Sequence, residues 1–477
     1  MVTVVPIETA SLGDRSYLAH DGHVAVVIDP QRDTDRVTAL ADSEGVRVTH
    51  VAETHVHNDY VSGGLALSRA LGAAYLVNAA DPVSFRREPV SDGDTVEIGP
   101  AMRLRVMATP GHTFSHLCYV LEAGGEATGV FTGGSLLFGS TGRPDLLGPA
   151  STGPLARAQY ASAQRLAGEL PDTTQIFPTH GFGSFCAATQ AQASSSTIGQ
   201  ERRVNPVFSG EQAYITGLLA GLDAYPAYYA HMGPANLAGA GDPDLSPPRP
   251  ADAAGIRRRI ESGEWVVDLR DRVAFAAGFV HGSFSFPLDG SFASYLGWAL
   301  PWGTPVTLLA QTPEQVARAQ RELVRIGIDR PAAAATGTPR QWTDGAALDR
   351  LRRATFGDLA DAARSADHSA DRSADRSAGR LVVLDVRRQM EWDAGHIVNA
   401  IHIPFSDLAR RAGEVPAGEV WVHCHSGYRA MVAASMLAAG GRQVVCVDDE
   451  FVNAGPAGLT ITEEAGASPG APAAGPG

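Results

Sequence analysis

Two stretches of this chain are copies of one plan. The first is Trp265-Val266-Val267-Asp268-Leu269-Arg270, followed by Gly278-Phe279-Val280-His281-Gly282-Ser283 and Pro287. The second is Leu381-Val382-Val383-Leu384-Asp385-Val386-Arg387, followed by Gly395-His396-Ile397-Val398-Asn399-Ala400 and Pro404. An apolar run, Asp-x-Arg, a glycine-led turn and a proline recur in the same order, which marks an internal repeat. Each copy predicts short buried strands alternating with helices, hence α/β order. At 477 residues, the chain has room for about three domains, so the repeat accounts for only its second half.

Residues 1–240 have a different texture. Short β-branched runs at 24–28, 104–107 and 129–131 alternate with turns and amphipathic stretches. This again predicts an α/β layered domain, with loops at strand ends free to carry function. A Pro/Gly/Asp-rich stretch at 239–250 reads as a linker. The expected division is a first domain over 1–240, the first repeat copy over 248–350, the second over 353–462 and an Ala/Gly/Pro-rich disordered tail over 463–477. Residues 364–380 form a degenerate Arg-Ser-Ala-Asp tract. Such a tract cannot bury a core and is expected as a disordered insertion within the second copy.

Composition narrows the function classes. A formal net charge of −14 and the lack of any basic block argue against nucleic-acid binding. All 38 basic residues are arginine, which removes Schiff-base and lysine-base mechanisms. The four cysteines, Cys118, Cys186, Cys424 and Cys446, are too scattered for a disulfide framework and fit a reducing, cytoplasmic setting. The first residues lack a signal-peptide pattern, and no run of ~18 apolar residues predicts a membrane span.

The chemistry concentrates in two places. In Thr54-His55-Val56-His57-Asn58-Asp59-Tyr60, two histidines two apart and an aspartate two further on have metal-ligand spacing. Pro110-Gly111-His112-Thr113 and Pro178-Thr179-His180-Gly181 supply later histidines, with Phe131-Thr132-Gly133-Gly134 between them. These four separated motifs resemble the metallo-β-lactamase superfamily, whose signature begins H-x-H-x-D-H. The resemblance implies a first metal on His55, His57 and His112. In the same pattern a second metal uses Asp59, a histidine at position 60, a bridging aspartate at position 134 and His180. Tyr60 and Gly134 occupy two of those places here. One metal is therefore expected, with Asp59 and His180 either ligating or lying beside it. His116 is expected to be structural. Tyr60 either packs or offers its phenol near substrate.

The second place is Glu419-Val420-Trp421-Val422-His423-Cys424-His425-Ser426-Gly427-Tyr428-Arg429-Ala430. A strand runs into a cysteine, a short loop ends in arginine, and a helix follows. Backbone N–H groups at a helix N-terminus and a nearby guanidinium both favour an anionic sulfur. Cys424 is thus the expected nucleophile and sulfur carrier, with Arg429 beside it. The C-x-x-G-x-R loop resembles that of rhodanese sulfurtransferases, over about 353–462. In the first copy Ala310 or Gln311 stands at the cysteine position, so a rhodanese-like fold without that chemistry is expected there.

Together these parts predict an α/β multidomain chain: a metallo-β-lactamase αββα sandwich followed by two rhodanese-like α/β domains. The combination resembles the persulfide dioxygenase–rhodanese fusion family, and Gly142-Arg143-Pro144-Asp145-Leu146 matches a further run of that family. The resemblance implies one Fe(II), with zinc as the alternative. It implies oxidation of a low-molecular-weight thiol persulfide to sulfite, and sulfur transfer involving thiosulfate or sulfite. Family members commonly hold iron through the residues matching His55, His112 and position 134, so Gly134 leaves the third place to His57. A homo-oligomer is compatible with the sequence. Two rivals stay open: a glyoxalase-II-like thioester hydrolase, which relies on two metals, and a metal-free scaffold carrying one active sulfurtransferase.

Overall fold

The computed structural model describes residues 2–188, 193–370 and 381–462. Two compact units result: Met1–Ser246 with Asp289–Gly297 and Arg318–Arg330, and Pro247–Leu288 with Trp298–Ala317 and Pro331–Gly477.

Strands Thr3–Thr9, Asp14–His20, Val24–Ile28, Arg47–Ala52, Ala74–Asn78 and Glu88–Val90 form one six-stranded sheet of the first unit, in that order. Thr95–Gly99, Met102–Ala108, Leu117–Ala123, Glu126–Gly133, Gln175–Pro178 and Ser196–Thr197 form the second. Period-two alternation sets the layers. Val26 and Ile28 face inward and pack with Tyr119, Leu121 and Phe131 of the other sheet. Ala25 and Val27 face outward onto helices Asp35–Glu44 and Gly64–Leu71, through Val37, Ala41, Leu65 and Leu67. Met107, Cys118, Val120 and Val130 face outward from the second sheet onto helix Pro149–Glu169. The result is the expected αββα sandwich. Each side chain buried completely in it, such as Phe131, stabilises by roughly 1.5–3 kcal/mol. His55 and His57 follow strand Arg47–Ala52, His112 follows Met102–Ala108 and His180 follows Gln175–Pro178.

The two repeat copies share one topology. In the first, Phe284–Ser285, Trp265–Asp268, Val306–Ala310 and Ala333–Thr336 lie side by side, all parallel. In the second, Ile401–His402, Leu381–Asp385, Glu419–His423 and Val444–Val447 repeat that order, with Arg352–Ala354 added at the edge. The Asp-x-Arg element has the same job in both. Arg270 clamps Asp268 and donates to the Gly278 carbonyl at 2.9 Å. Arg387 clamps Asp385 and donates to the Gly395 carbonyl at 2.7 Å. Register also settles the nucleophile position of the first copy. Asp268 pairs with Leu309 and Asp385 with His423, so Ala310 is the counterpart of Cys424.

Two boundaries differ from the expectation. Residues 289–297 and 318–330, expected with the first copy, group with the first unit. Ion pairs and hydrogen bonds hold them there: Arg325 to Asp33 at 2.6 Å, Arg32 to Asp329, and the Ser294 hydroxyl to the Ser11 carbonyl at 3.0 Å. Helix Phe356–Ala370 runs on through residues 364–370, which were expected in the disordered insertion. Residues 371–380 and the tail 463–477 lie outside the described residues. Among the described residues, no helix is long and apolar enough to cross a membrane.

Candidate metal centre and thiol site

Asp29, just past strand Val24–Ile28, has φ 51°. A non-glycine residue seldom adopts this left-handed backbone, and strain of this kind tends to sit at functional sites. Its carboxylate accepts the Thr54 N–H and hydroxyl, each at 2.7 Å, and the Thr179 hydroxyl. Asp29 thereby ties together the loops that carry His55 and His180. The loop beyond is fastened by Asn236, whose amide donates to the carbonyls of His57 at 2.8 Å and Tyr60 at 2.9 Å and accepts the Ser62 N–H at 2.8 Å. The Val61 N–H donates to the Arg325 carbonyl at 2.7 Å.

Three imidazoles meet at this end of the sandwich. His55, His112 and His180 are buried, and their ligating nitrogens lie within 4.8 Å of one another. The hydrogen bonds fix their tautomers. Thr54 Oγ1 donates to Asp29, so at 2.9 Å it accepts from His55 Nδ1. His112 Nδ1 donates to the Arg143 carbonyl at 2.9 Å. His180 Nδ1 donates to Asp14 at 2.9 Å, with Asp59 at 3.3 Å. Each Nδ1 carries its hydrogen toward an oxygen, which turns each Nε2 toward ligation. Among the described residues, His112 Nε2 is buried without a hydrogen-bond partner, and Nε2 of His55 and His180 are 3.4 Å apart. Nitrogens bound to one ion at ~2.0–2.1 Å stand roughly 3.0–3.4 Å apart, so this donor set fits a divalent metal.

Electrostatics separate the rings. Burial and the neighbouring His57 and His112 rings hold His55 well below the usual imidazole range. Burial, then His180, pushes His112 down to about 3. Both rings are neutral at pH 7, the form able to bind a metal. Burial opposes the protonation of His180, but Asp59 and Asp14 outweigh it and raise it to about 9, so a metal bound there would displace the proton on its Nε2.

His57 is placed differently from the sequence expectation. The three-imidazole cluster contains His180, while His57 groups with Asp59 and His180 on one side and with Asp29 and Glu53 on the other. Its Nε2 lies 3.3 Å from Asp29, 3.2 Å from Glu53 and 3.0 Å from the Tyr60 hydroxyl. Burial works against its protonation, yet Asp29 and Glu53 raise it to about 10. Its Nδ1 has no hydrogen-bond partner among the described residues and stands 4.0 Å from Asp59 Oδ1. Tyr60 is fully buried, with its hydroxyl on the Asp29 carbonyl at 3.2 Å and on His57. It packs and braces the network around His57. His116 accepts the Gly134 N–H at 3.0 Å and bonds Thr109 through Nδ1, a structural role.

In the second unit, Cys424 is 1% exposed at the end of strand Glu419–His423. The Gly427 N–H donates to its Sγ at 3.2 Å, and helix Tyr428–Ala439 starts from Gly427, at φ 91°. Arg429, expected beside the sulfur, forms a two-point pair with Glu391 at 2.5 and 2.7 Å. Cys118, Cys186 and Cys446 are buried, and burial pushes their thiols up, Cys118 to about 12 and the other two well above the usual thiol range. This leaves them poor nucleophiles.

Two family models match the chain: the metallo-beta-lactamase superfamily over residues 15–180 and the rhodanese-like domain over 369–453. The mitochondrial persulfide dioxygenase of Homo sapiens is 30% identical over 200 residues, 42% of this chain and 70% of that protein. The chain belongs to the metallo-beta-lactamase superfamily. Another relative, a hydroxyacylglutathione hydrolase from Polaromonas sp., is 30% identical over 160 residues, 33% of this chain. The match spans 57% of that hydrolase's length. The crystal structure of a metallo-beta-lactamase from Staphylococcus aureus superposes with a TM-score of 0.63 at 28% identity, covering 71% of this chain and 99% of that one.

Within the superfamily pattern this chain departs at positions 60 and 134, and the geometry accounts for both. A Cβ on Gly134 would stand 2.3 Å from His112 Cδ2, so the imidazole fills the space a side chain there would need. At position 60 the phenol closes the network around His57. Sequence reading missed Asp14, Asp29, Glu53, Asn236 and Glu391. Asp29 ends an apolar run and could have been noticed as a strand-end aspartate. The others carry no motif.

Proposed function

We propose that this protein oxidises a low-molecular-weight thiol persulfide at the imidazole cluster and transfers sulfane sulfur through Cys424. The observation that carries the first half is the shared hydrogen bonding of His55, His112 and His180, each with Nδ1–H held by an oxygen and Nε2 left toward one buried cluster. These three would hold one metal ion, with His57 and Asp59 adjoining. Bound iron(II) would supply the redox-active centre that O2 chemistry needs, with positions left open by three protein ligands. Overall, a persulfide, O2 and a water become a thiol, sulfite and a pair of protons. The chain's own contribution is to fix the ligands: Thr54, Arg143 and Asp14 orient the rings, and Tyr60 seals the space behind His57.

At the second site the Cys424 thiolate attacks the outer sulfur of thiosulfate. The S–S bond of thiosulfate breaks, sulfite leaves with the electron pair, and Cys424 keeps a persulfide. The Gly427 N–H at 3.2 Å and the helix start behind it support the anionic sulfur. The match of 369–453 to the rhodanese-like domain supports this half.

Thioester hydrolysis is the rival favoured by the hydrolase relatives. It relies on two metals, and Tyr60 and Gly134 stand at two of the second metal's ligand positions. Metal content separates the readings. One iron per chain fits persulfide oxidation, two zincs fit hydrolysis, and none fits a scaffold. For the thiol site the test is thiosulfate:cyanide sulfur transfer, which Cys424→Ser should abolish. Transfer that survives this substitution removes Cys424 from the reaction.

A further inference from the structure

In the second unit, both repeat copies reach one buried carboxylate. The Asp448 side chain is 3% exposed. Its Oδ1 accepts Arg272 Nε at 2.8 Å, and its Oδ2 accepts Arg353 Nε at 2.8 Å and Nη2 at 2.7 Å. The same Oδ1 lies where a side chain on Gly427 would begin, since a Cβ there would be 2.0 Å from it. Asp448 is therefore braced against the residue whose N–H donates to Cys424 Sγ. A carboxylate buried here without cations would be costly and would set negative charge behind the sulfur. Two guanidiniums reverse the sign. Arg353 belongs to the copy that holds the nucleophile, and Arg272 comes from the copy with Ala310 in its place.

We propose that Arg272 is a positioning residue for the Cys424 loop. Through Asp448 it braces Gly427, and with Arg353 it makes the charge behind the sulfur net positive. This is what the nucleophile-free copy contributes to sulfur transfer, and the inference rests on reading Cys424 as the sulfur carrier. Anionic sulfur donors such as thiosulfate would gain from that charge, while neutral electrophiles would not.

Site-resolved alkylation of Cys424 in the full-length chain, with anionic iodoacetate and neutral iodoacetamide, tests this directly. Arg272→Ala should lower the iodoacetate-to-iodoacetamide rate ratio several-fold, and Arg272→Lys should restore it. The isosteric Asp448→Asn should raise it. In parallel, kcat/KM for thiosulfate should fall on the order of tenfold in Arg272→Ala, the loss expected for one charged hydrogen bond. A purely structural role would change both alkylation rates together. A ratio unmoved in Arg272→Ala and Asp448→Asn overturns the proposal. If Arg272→Ala does not fold, an unmoved ratio in Asp448→Asn alone overturns it. Alkylation needs no sulfur transfer, so a shifted ratio in a protein inactive toward thiosulfate would refute the Cys424 reading and keep the brace.

Discussion

His112 lies so close over Gly134 that a Cβ at position 134 would stand 2.3 Å from its Cδ2 and 2.6 Å from its Cγ. The glycine at the bridging position and the placement of the imidazole are one feature. Gly134→Ala should push His112 off the Arg143 carbonyl, lower the metal content below that of the wild type and destabilise by about 1–3 kcal/mol, as overpacking does. Metal analysis with denaturant unfolding checks this. An alanine variant with full metal and stability would separate the two residues.

Asn236 holds the histidine loop through three hydrogen bonds. Asn236→Ala leaves the His57 and Tyr60 carbonyls and the Ser62 N–H to find other partners. A loss of about 1–3 kcal/mol is expected, together with weaker metal binding, read by chelator competition. Unchanged metal affinity would show that the loop holds its shape without this amide.

Tyr60→Phe tests the assignment of the phenol as a brace. Among the described residues the hydroxyl bonds the Asp29 carbonyl and His57, and His57 keeps Asp29 and Glu53. Stability should fall by about 1 kcal/mol, with metal content and the KM for persulfide unchanged. A raised KM would place the phenol at the substrate.

Glu391 gives a pH signature. Burial alone would raise its carboxyl, but Arg429 more than offsets this and holds it down, at about 2. Because the folded value is lowered, the pair's contribution is complete above about 4.5 and fades as the pH falls toward 2. Wild type should exceed Glu391→Gln by roughly 3 kcal/mol at pH 7, and the gap should narrow by pH 3. Denaturant midpoints at the two pH values measure it. A gap independent of pH would mean the substitution acts through packing.

Much of this was legible in the chain. The Asp-x-Arg repeat is visible because each element is local: Arg270 and Arg387 clamp carboxylates two residues away. His55, His112 and Cys424 follow apolar runs, and the loops at strand ends are where a layered fold carries its functional side chains. The pairing partners were not legible, since they lie far off in sequence. Asp14, at the start of strand Asp14–His20 of the first sheet, reaches His180 beyond strand Gln175–Pro178 of the second, and Glu391 meets Arg429 from a separate short helix. The superfamily resemblance put His57 with His55 and His112. It could not foresee that Asp29, Glu53 and Tyr60 would capture one of its nitrogens and leave His180 in the cluster. The helix that carries 364–370 was hidden because the tract's low-complexity composition dominates the reading.

The most direct test of the central claim is O2 consumption by the iron-loaded protein with glutathione persulfide. Persulfide-dependent uptake with matching sulfite is predicted in the wild type and in Cys424→Ser, and its loss in His112→Ala. No persulfide-dependent uptake by the iron-loaded wild type, or uptake that survives His112→Ala, would contradict the account.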